Sequence, residues 1–222
     1  MEGIIPRTFS EIFSQIANLR NSSSQFGPND TLTLSISYLE VYNEMIRDLL
    51  TDGEITLQPR EDPVEGEVIV AGLTEIEVHS KEEVIELLDA GNKRRKMEPT
   101  AANEVSSRSH AVLQILIKRK KFTSHDNIHI RGRLSLIDLA GSERASKTEN
   151  RGERLQEGAK INQSLLALAN CINALTNKNK NDKSMRVKYR DSKLTHLLKS
   201  SLEGKCHVVM IANVSPSFTR YR

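Results

Sequence analysis

The hydrophobic positions of this chain change their period several times, and each change predicts an element. Near the N-terminus apolar residues recur at helical spacing, and Pro6 with a Thr8-x-x-Glu11 capping pattern predicts where this helix starts. From Leu32 to Tyr38, apolar and polar residues alternate, which is typical of a half-buried strand. The following segment, residues 41–50, is predicted to be helical.

The rest of the chain predicts further strands and helices. A Ser80-x-x-Glu83 pattern predicts the start of another helix. Residues 111–118 and 128–139 both have strand character with a polar loop between them, so we expect a hairpin. The remaining expected elements are a long helix at 153–176, a helix at 191–202 and a short strand at 208–213. Because strands and helices alternate, we expect an α/β domain with helices flanking a mixed central sheet.

Composition restricts the class of protein without identifying it. The chain has 222 residues, 37% of them hydrophobic, so it can bury a core and is too apolar to be disordered. Its longest apolar stretches, such as residues 208–212, are far shorter than the roughly 18 residues that a membrane helix needs. Cys171 and Cys206 form neither a disulfide framework nor a metal-ligand spacing. These observations argue against a membrane protein and a secreted scaffold.

The positive charge of the chain is concentrated in one segment. The formal net charge is +3. Residues 178–193 contain seven Lys or Arg and two Asp, a net charge of +5, so the remainder of the chain sums to −2. A locally basic segment attracts an acidic partner, although on composition alone it is as often a solvated lysine-rich loop.

Candidate chemistry begins where the second strand of the expected hairpin ends. There an apolar strand runs into Asp138, followed by Gly141 and Glu143. In phosphate-transferring folds, an Asp at the end of a strand holds Mg²⁺ directly or through water. A Gly three residues later lets a backbone N–H approach a phosphate without obstruction. An Asp-x-x-Gly pattern alone is common by chance, so it needs a second signal.

The second signal is a polar segment just before the first strand of the hairpin. Residues 103–110 read Asn-Glu-Val-Ser-Ser-Arg-Ser-His, and a core has no use for three serines, an arginine and a histidine together. Serine hydroxyls can bind Mg²⁺ or phosphate oxygens, and an arginine can pair with a carboxylate. The two segments together outweigh the interpretation as ordinary loops.

These segments resemble the switch loops of kinesin motor domains. Residues 103–110, here named the first loop, resemble the first switch, and residues 138–143, the second loop, resemble the second, in the family's order. Other stretches similar to the family are residues 37–44, 157–165, 189–195 and 213–216. Within the family, residues 97–103 and 170–175 are most similar to the kinesin-eight class.

The resemblance implies ATP and Mg²⁺ as cofactors and gives each loop residue a role. Asn103 and Ser106 would contact the nucleotide phosphates. Ser107 would bind Mg²⁺, and Asp138 would hold a Mg²⁺-bound water.

The same resemblance implies the catalytic switch. Gly141 would sense the γ-phosphate through its N–H, and Arg108 would form a salt bridge with Glu143 that closes the loops on ATP. The implied fold is the three-layer kinesin-like motor fold, in which the long helix after the second loop relays the loop state to a partner surface.

The implied function is that of a microtubule-based motor ATPase. Acidic tubulin would supply the countercharge to the basic segment, with Lys188, Arg190 and Lys193 in contact. The resemblance places the protein in the cytoplasm on the microtubule cytoskeleton, as a homodimer through regions outside these residues, with no nucleic-acid or membrane partner.

One family feature is absent from the sequence, the phosphate-cradling loop of the form G-x-x-x-x-G-K-[ST]. In the family this loop precedes the stretch that resembles residues 3–7. We therefore expect residues 1–222 to be a partial motor domain without the N-terminal strands and the last helix. Since the missing Lys and backbone N–H groups supply much of the positive charge around the phosphates, we expect little ATP hydrolysis by this chain alone.

Two alternatives stay open. One is a non-catalytic microtubule-binding protein derived from a kinesin. The other, from composition only, is a basic nucleic-acid-binding protein, against which the 4% aromatic content and the lack of a docking motif argue.

Overall fold

The computed structural model describes residues 3–22, 26–53, 55–63, 66–96, 108–122, 127–141, 153–178, 186–203 and 206–213. Its first half contains α1 (Ile4–Asn21), β1 (Thr31–Tyr42), β2 (Met45–Asp48), β3 (Gln58–Glu61), β4 (Val68–Ala71), β5 (Ile76–Glu77) and α2 (Lys81–Lys96). Its second half contains β6 (His110–Phe122), β7 (Asn127–Asp138), α3 (Glu153–Lys178), a 3-10 turn (Tyr189–Asp191), α4 (Lys193–Leu197) and α5 (Lys199–Leu202). Among these described helices, none is long and apolar enough to cross a membrane.

The central sheet is organised around β1, which pairs on both sides. β6 lies on one side and β2 and β5 on the other, and β6 also pairs with β7, which gives the order β2-β1-β6-β7. β3 and β4 form a separate two-stranded hairpin. The expected α/β architecture is present, but all pairings between the described strands are antiparallel rather than mixed. Two residues separate β1 from β2 and four separate β6 from β7, and connections this short can link only antiparallel strands.

Apolar side chains cover both faces of β1. On one face the main core joins Phe9 of α1 and Val84 and Leu88 of α2 to the sheet. On the other face a smaller cluster packs with Leu197 of α4, and its buried members are Leu39, Val41, Ile46 and Val112. β7 differs, because several of its apolar side chains are exposed: Ile128, Ile130, Leu134 and Ile137.

A hairpin stands where the sequence predicted a helix at residues 41–50. β1 continues to Tyr42, which pairs with Met45, and Asn43 and Glu44 turn the chain with φ angles of 53° and 62°. Positive φ at both central residues is a feature of the type I′ turn, whose twist matches that of antiparallel strands. The helix prediction was wrong because pairing with β1 buries Ile46 completely, and a short apolar run does not distinguish the two structures.

The start of α1 was also mispredicted. α1 begins at Ile4, so Thr8 lies inside the helix, where its hydroxyl donates to the Ile4 carbonyl at 2.9 Å. The second capping pattern is confirmed, since Ser80 Oγ accepts from the Glu83 N–H at 3.1 Å.

Two differences lie near the C-terminal end of the chain. The helix expected at 191–202 is divided into the 3-10 turn, α4 and α5. Residues 208–213 form no strand, and Val209 is 84% exposed. In the described part of the chain no strand lies beside this segment, so its backbone has no ladder to join.

α2 approaches β1 closely at a glycine. A Cβ on Gly91 would lie 2.7 Å from Tyr38 Cδ1 and 3.1 Å from the Leu49 carbonyl oxygen. This close approach brings the last turns of α2 onto the sheet, and Arg95 follows one turn later.

Replacing Gly91 by Ala is expected to destabilise the chain by about 2 kcal/mol. The overpacking cost, about 3 kcal/mol for contacts this short, exceeds the gain in helix propensity of about 1 kcal/mol. The free energy of unfolding from chemical denaturation measures this, with the exposed Asp89→Ala on the same helix as control. A G91A chain as stable as the wild type would show that α2 and the Tyr38 ring separate without cost.

Candidate functional site

The start of β6 and the end of β7 lie side by side in the sheet. Ala111 stands opposite Asp138 in the register, so both loops leave the sheet at the same edge, as the expected hairpin requires. The structure describes the part of each loop nearest the sheet, Arg108 to His110 and Asp138 to Gly141. The other predicted site residues lie outside the described residues: Asn103, Ser106, Ser107 and Glu143.

A buried arginine joins these strand ends to β1. The Arg95 side chain is 5% exposed, and it donates from Nε to Ser109 Oγ at 2.9 Å and from Nη2 to the Ser109 carbonyl at 2.8 Å. Two carboxylates flank it, Glu40 Oε1 at 3.4 Å from Nε and Asp138 Oδ2 at 3.5 Å from Nη1. Arg95 therefore neutralises a buried carboxylate and also fixes the base of both loops.

Sequence reasoning missed both Arg95 and Glu40. The available signal was Glu40 itself, a single charge in the stretch 34–41 of β1, all of which is buried. A buried charge needs a partner, so Glu40 implies a cation from elsewhere in the chain. Its position did not say which one.

Asp138 has the chemistry of an outer Mg²⁺ ligand. Its side chain is 75% exposed, although one oxygen faces Arg95, so the carboxylate can still accept from a metal-bound water. In the described ranges, no group of three or more His, Cys, Asp or Glu forms a metal cage. Of the two predicted metal residues, Ser107 and Asp138, the structure describes only Asp138, whose exposed carboxylate could hold a Mg²⁺ ion through water.

His110 connects the second loop to α3. The Ala140 N–H donates to Nδ1 at 3.0 Å, so Nε2 carries the proton and donates to Ser164 Oγ at 2.8 Å. Ser164 Oγ donates in turn to the Ile161 carbonyl at 2.7 Å. Burial, reinforced by the charge of Arg95, lowers the pKa of His110 to about 4, so the imidazole is neutral near pH 7.

A small cleft opens beside His110. Glu44 of the β1–β2 turn, Arg108 of the first loop and Lys160 of α3 line it. Arg108 is half-buried here. Its expected salt bridge with Glu143 stays a prediction, because Glu143 is outside the described residues.

The three residues expected to bind microtubules lie together around the 3-10 turn and the first residue of α4. Lys188 is exposed, and the Arg190 side chain is 75% exposed. Two of the three contact β3, since Arg190 Nη2 lies 3.1 Å from Glu61 Oε1 and Lys193 Nζ donates to Gln58 Oε1 at 2.5 Å. Arg190 and Lys193 therefore already have partners within the chain.

Two further basic side chains, one from α4 and one from α5, lie close to the Glu61 carboxylate. Lys199 Nζ lies 3.1 Å and His196 Nε2 3.8 Å from its carboxylate. Hydrogen bonds from Lys199 and Arg190 lower the pKa of Glu61, so it remains ionised. Together with the 3.1 Å bond from the Val68 N–H to Ser200 Oγ, these contacts tie the β3–β4 hairpin to α4 and α5.

Replacing Arg95 by Met is expected to lower the free energy of unfolding by about 3–5 kcal/mol, because Glu40 would be left buried without a countercharge. Adding Glu40→Gln removes that charge and should recover part of the loss in the double variant. Chemical denaturation measures both. A double variant no more stable than R95M would show that Arg95 does not stabilise the fold through Glu40.

The low pKa of His110 makes stability fall in acid. The unfolded imidazole takes up a proton near pH 6.5 and the folded one only near pH 4, so stability is fully present above 6.5 and decreases as the pH drops toward 4. The decrease amounts to about 3 kcal/mol. His110→Asn should flatten the pH dependence of the free energy of unfolding by this amount. A His110 ring found protonated at pH 6 by NMR would contradict the assignment.

Known proteins similar to this chain span it almost completely. The family model described as the kinesin motor domain matches residues 1–222. Kinesin-like protein KIF19 of Mus musculus is 50% identical over 220 residues, which are 99% of this chain and 21% of that protein. Kinesin-like protein KIN-8B of Arabidopsis thaliana is 48% identical over 219 residues, 99% of this chain and 26% of that protein. The chain thus spans 21–26% of the length of these curated relatives.

Solved structures with a similar fold come from the same family. KIF14 with ADP in complex with a microtubule has a TM-score of 0.82 at 39% identity, covering 98% of this chain and 61% of that one. A KIF14 dimer with AMP-PNP in complex with a microtubule has a TM-score of 0.76 at 39% identity, covering 89% and 55%. The kinesin-like fold is therefore confirmed, and relatives such as KIN-8B and KIN-8A confirm the similarity to the kinesin-eight class. The chain belongs to the kinesin motor domain family.

Proposed function

We propose that the protein is a microtubule-based motor, which couples ATP hydrolysis to microtubule binding and movement, and that residues 1–222 are part of its motor domain. The observation that carries this proposal is the shared sheet edge, where Ala111 opposite Asp138 brings both loops together in a chain of the kinesin family. Motor domains of this fold hold ADP or AMP-PNP in the KIF14–microtubule complexes.

ATP with Mg²⁺ is the proposed cofactor pair. Asn103 and Ser106 contact the phosphates, while Ser107 and, through water, Asp138 hold the metal. Mg²⁺ supplies charge neutralisation of the phosphate oxygens. The exposed carboxylate of Asp138 supports this role, and Arg95 keeps it oriented at the end of β7.

The remaining loop residues form the switch. Gly141 donates its N–H to the γ-phosphate, where the absence of a side chain leaves the approach open. Arg108 and Glu143 pair when the loops close, and the pair opens when the phosphate leaves. Because the phosphate-cradling motif is absent from residues 1–222, we assign hydrolysis to the full-length protein.

Lys188, Arg190 and Lys193 form the proposed microtubule-binding surface. Acidic groups of tubulin pair with these cations, and the exposure of Lys188 and Arg190 supports this. The protein then acts on the microtubule cytoskeleton of the cytoplasm, as a homodimer through regions outside residues 1–222.

Steady-state ATP turnover by the full-length protein, with and without microtubules, tests this function. Microtubules should stimulate turnover. In the Arg190→Gln/Lys193→Gln variant the microtubule concentration for half-maximal stimulation should rise about tenfold, while saturated turnover stays unchanged, because only binding charges are lost.

Lys120→Gln is the matched control, since Lys120 is an exposed cation at the far end of β6. The half-maximal concentration should also rise with ionic strength. ATP turnover that microtubules do not stimulate would contradict the proposal. An equal rise of the half-maximal microtubule concentration in K120Q would contradict it as well.

A further inference from the structure

His110 is a buried titratable side chain to which the proposed function gives no role. It is the last residue of the first loop and the first residue of β6, and it is 3% exposed. Its two ring nitrogens contact the second loop and α3, the two segments whose movements a nucleotide switch has to link. Nδ1 accepts from Ala140 of the second loop, and Nε2 donates to Ser164 of α3.

The protonation state makes this connection specific. A neutral imidazole has one hydrogen-bond acceptor and one donor, and both are used here. If the ring turned to bond a different group with one nitrogen, the other nitrogen would lose its present partner. Ser164 is 2% exposed, and its hydroxyl already donates to the Ile161 carbonyl, so it is fitted to accept from Nε2. Leaving buried polar groups unpaired is costly, which couples the positions of Ala140 and Ser164.

α3 leads from this connection to the proposed microtubule-binding surface, here also called the basic surface. It packs against the 3-10 turn and α4, which carry Arg190 and Lys193. Near its C-terminal end, Cys171 Sγ lies 3.7 Å from the Lys188 carbonyl oxygen. One helix therefore contacts His110 at one point and the surface residues at another.

We propose that His110 is a positioning residue that couples the second loop to α3, because its imidazole bonds the Ala140 N–H to the Ser164 hydroxyl. When the second loop moves on phosphate binding, this link repositions α3 and the surface packed against it. The inference rests on the proposed function and deepens it, since it names the side chain through which the nucleotide state reaches the microtubule-binding surface.

The test measures the microtubule affinity of the full-length protein by co-sedimentation, once with ADP and once with a non-hydrolysable ATP analogue. The ratio of the two dissociation constants reports the coupling. Ser164→Ala removes the hydroxyl and leaves the imidazole bonded to Ala140. His110→Asn keeps an acceptor near Nδ1 but does not reach Ser164.

Ser35→Ala is the matched control. It also removes a buried serine hydroxyl, which donates to Glu75 at 2.7 Å in a different part of the sheet. Thermal unfolding of S35A and S164A compares their structural cost. A merely structural Ser164 would lower the melting temperature without changing the affinity ratio.

The wild-type ratio should differ from one by about fivefold or more. S164A and H110N should each bring it close to one, and the double variant should go no further, because both substitutions remove the same hydrogen bond. S35A should keep the wild-type ratio.

A large wild-type ratio that persists in S164A would overturn this inference and leave the proposed function intact. A wild-type ratio of one would overturn nucleotide-dependent microtubule binding, and the inference with it. Because S164A retains the histidine, the test does not depend on the folding of H110N.

Discussion

The charge of Arg95, buried between α2 and the sheet, determines where the two loops begin. A guanidinium removed from water needs acceptors on several sides. Arg95 obtains them from Ser109, just before β6, and from Asp138 at the end of β7, and its charge is paired with Glu40 on β1 at 3.4 Å. These strand ends therefore have to meet at one point, and the close approach of α2 at Gly91 allows the side chain to reach it.

Burial, together with the same charge, keeps His110 neutral. Arg95 opposes protonation of the ring in addition to burial, while Asp138 acts in the other direction but is mostly exposed. A neutral ring offers one donor and one acceptor, which suits the backbone donor of Ala140 and the hydroxyl of Ser164. Thus Arg95, which anchors the loops, also contributes together with burial to keeping His110 in the form that makes these two hydrogen bonds.

Local sequence patterns predicted the elements whose periodicity extends over many residues. The β6–β7 hairpin and α3 are of this kind. Residues 41–50 were mispredicted, because a short apolar run fits a helix and a hairpin equally, and pairing with β1 decides between them. Thr8 was mispredicted because a capping pattern can also occur inside a helix that starts earlier.

The residues of the candidate site likewise differ in whether the sequence alone could predict them. The two loops were recognisable because their unusual residues are contiguous in sequence. Arg95 and Glu40 come from different elements, and only the fold of α2 against β1 brings them together. Likewise, no local pattern connects Glu61 with Arg190 and Lys199, since this contact requires the β3–β4 hairpin to pack on α4 and α5.

This last contact limits how strongly the basic surface can bind. An acidic partner must compete with Glu61 for Arg190, so an ion pair formed with Arg190 replaces an internal one and the net gain is smaller than the charge suggests. The basic surface is also linked to the two loops by a hydrogen bond. The Lys193 N–H donates to Glu44 Oε2 at 2.7 Å, and Glu44, in the β1–β2 turn, lines the cleft beside Arg108 and His110. The basic surface is therefore connected to the two loops through Glu44 as well as through α3, because a shift of α4 would change its hydrogen bond to Glu44 in the cleft that Arg108 also lines.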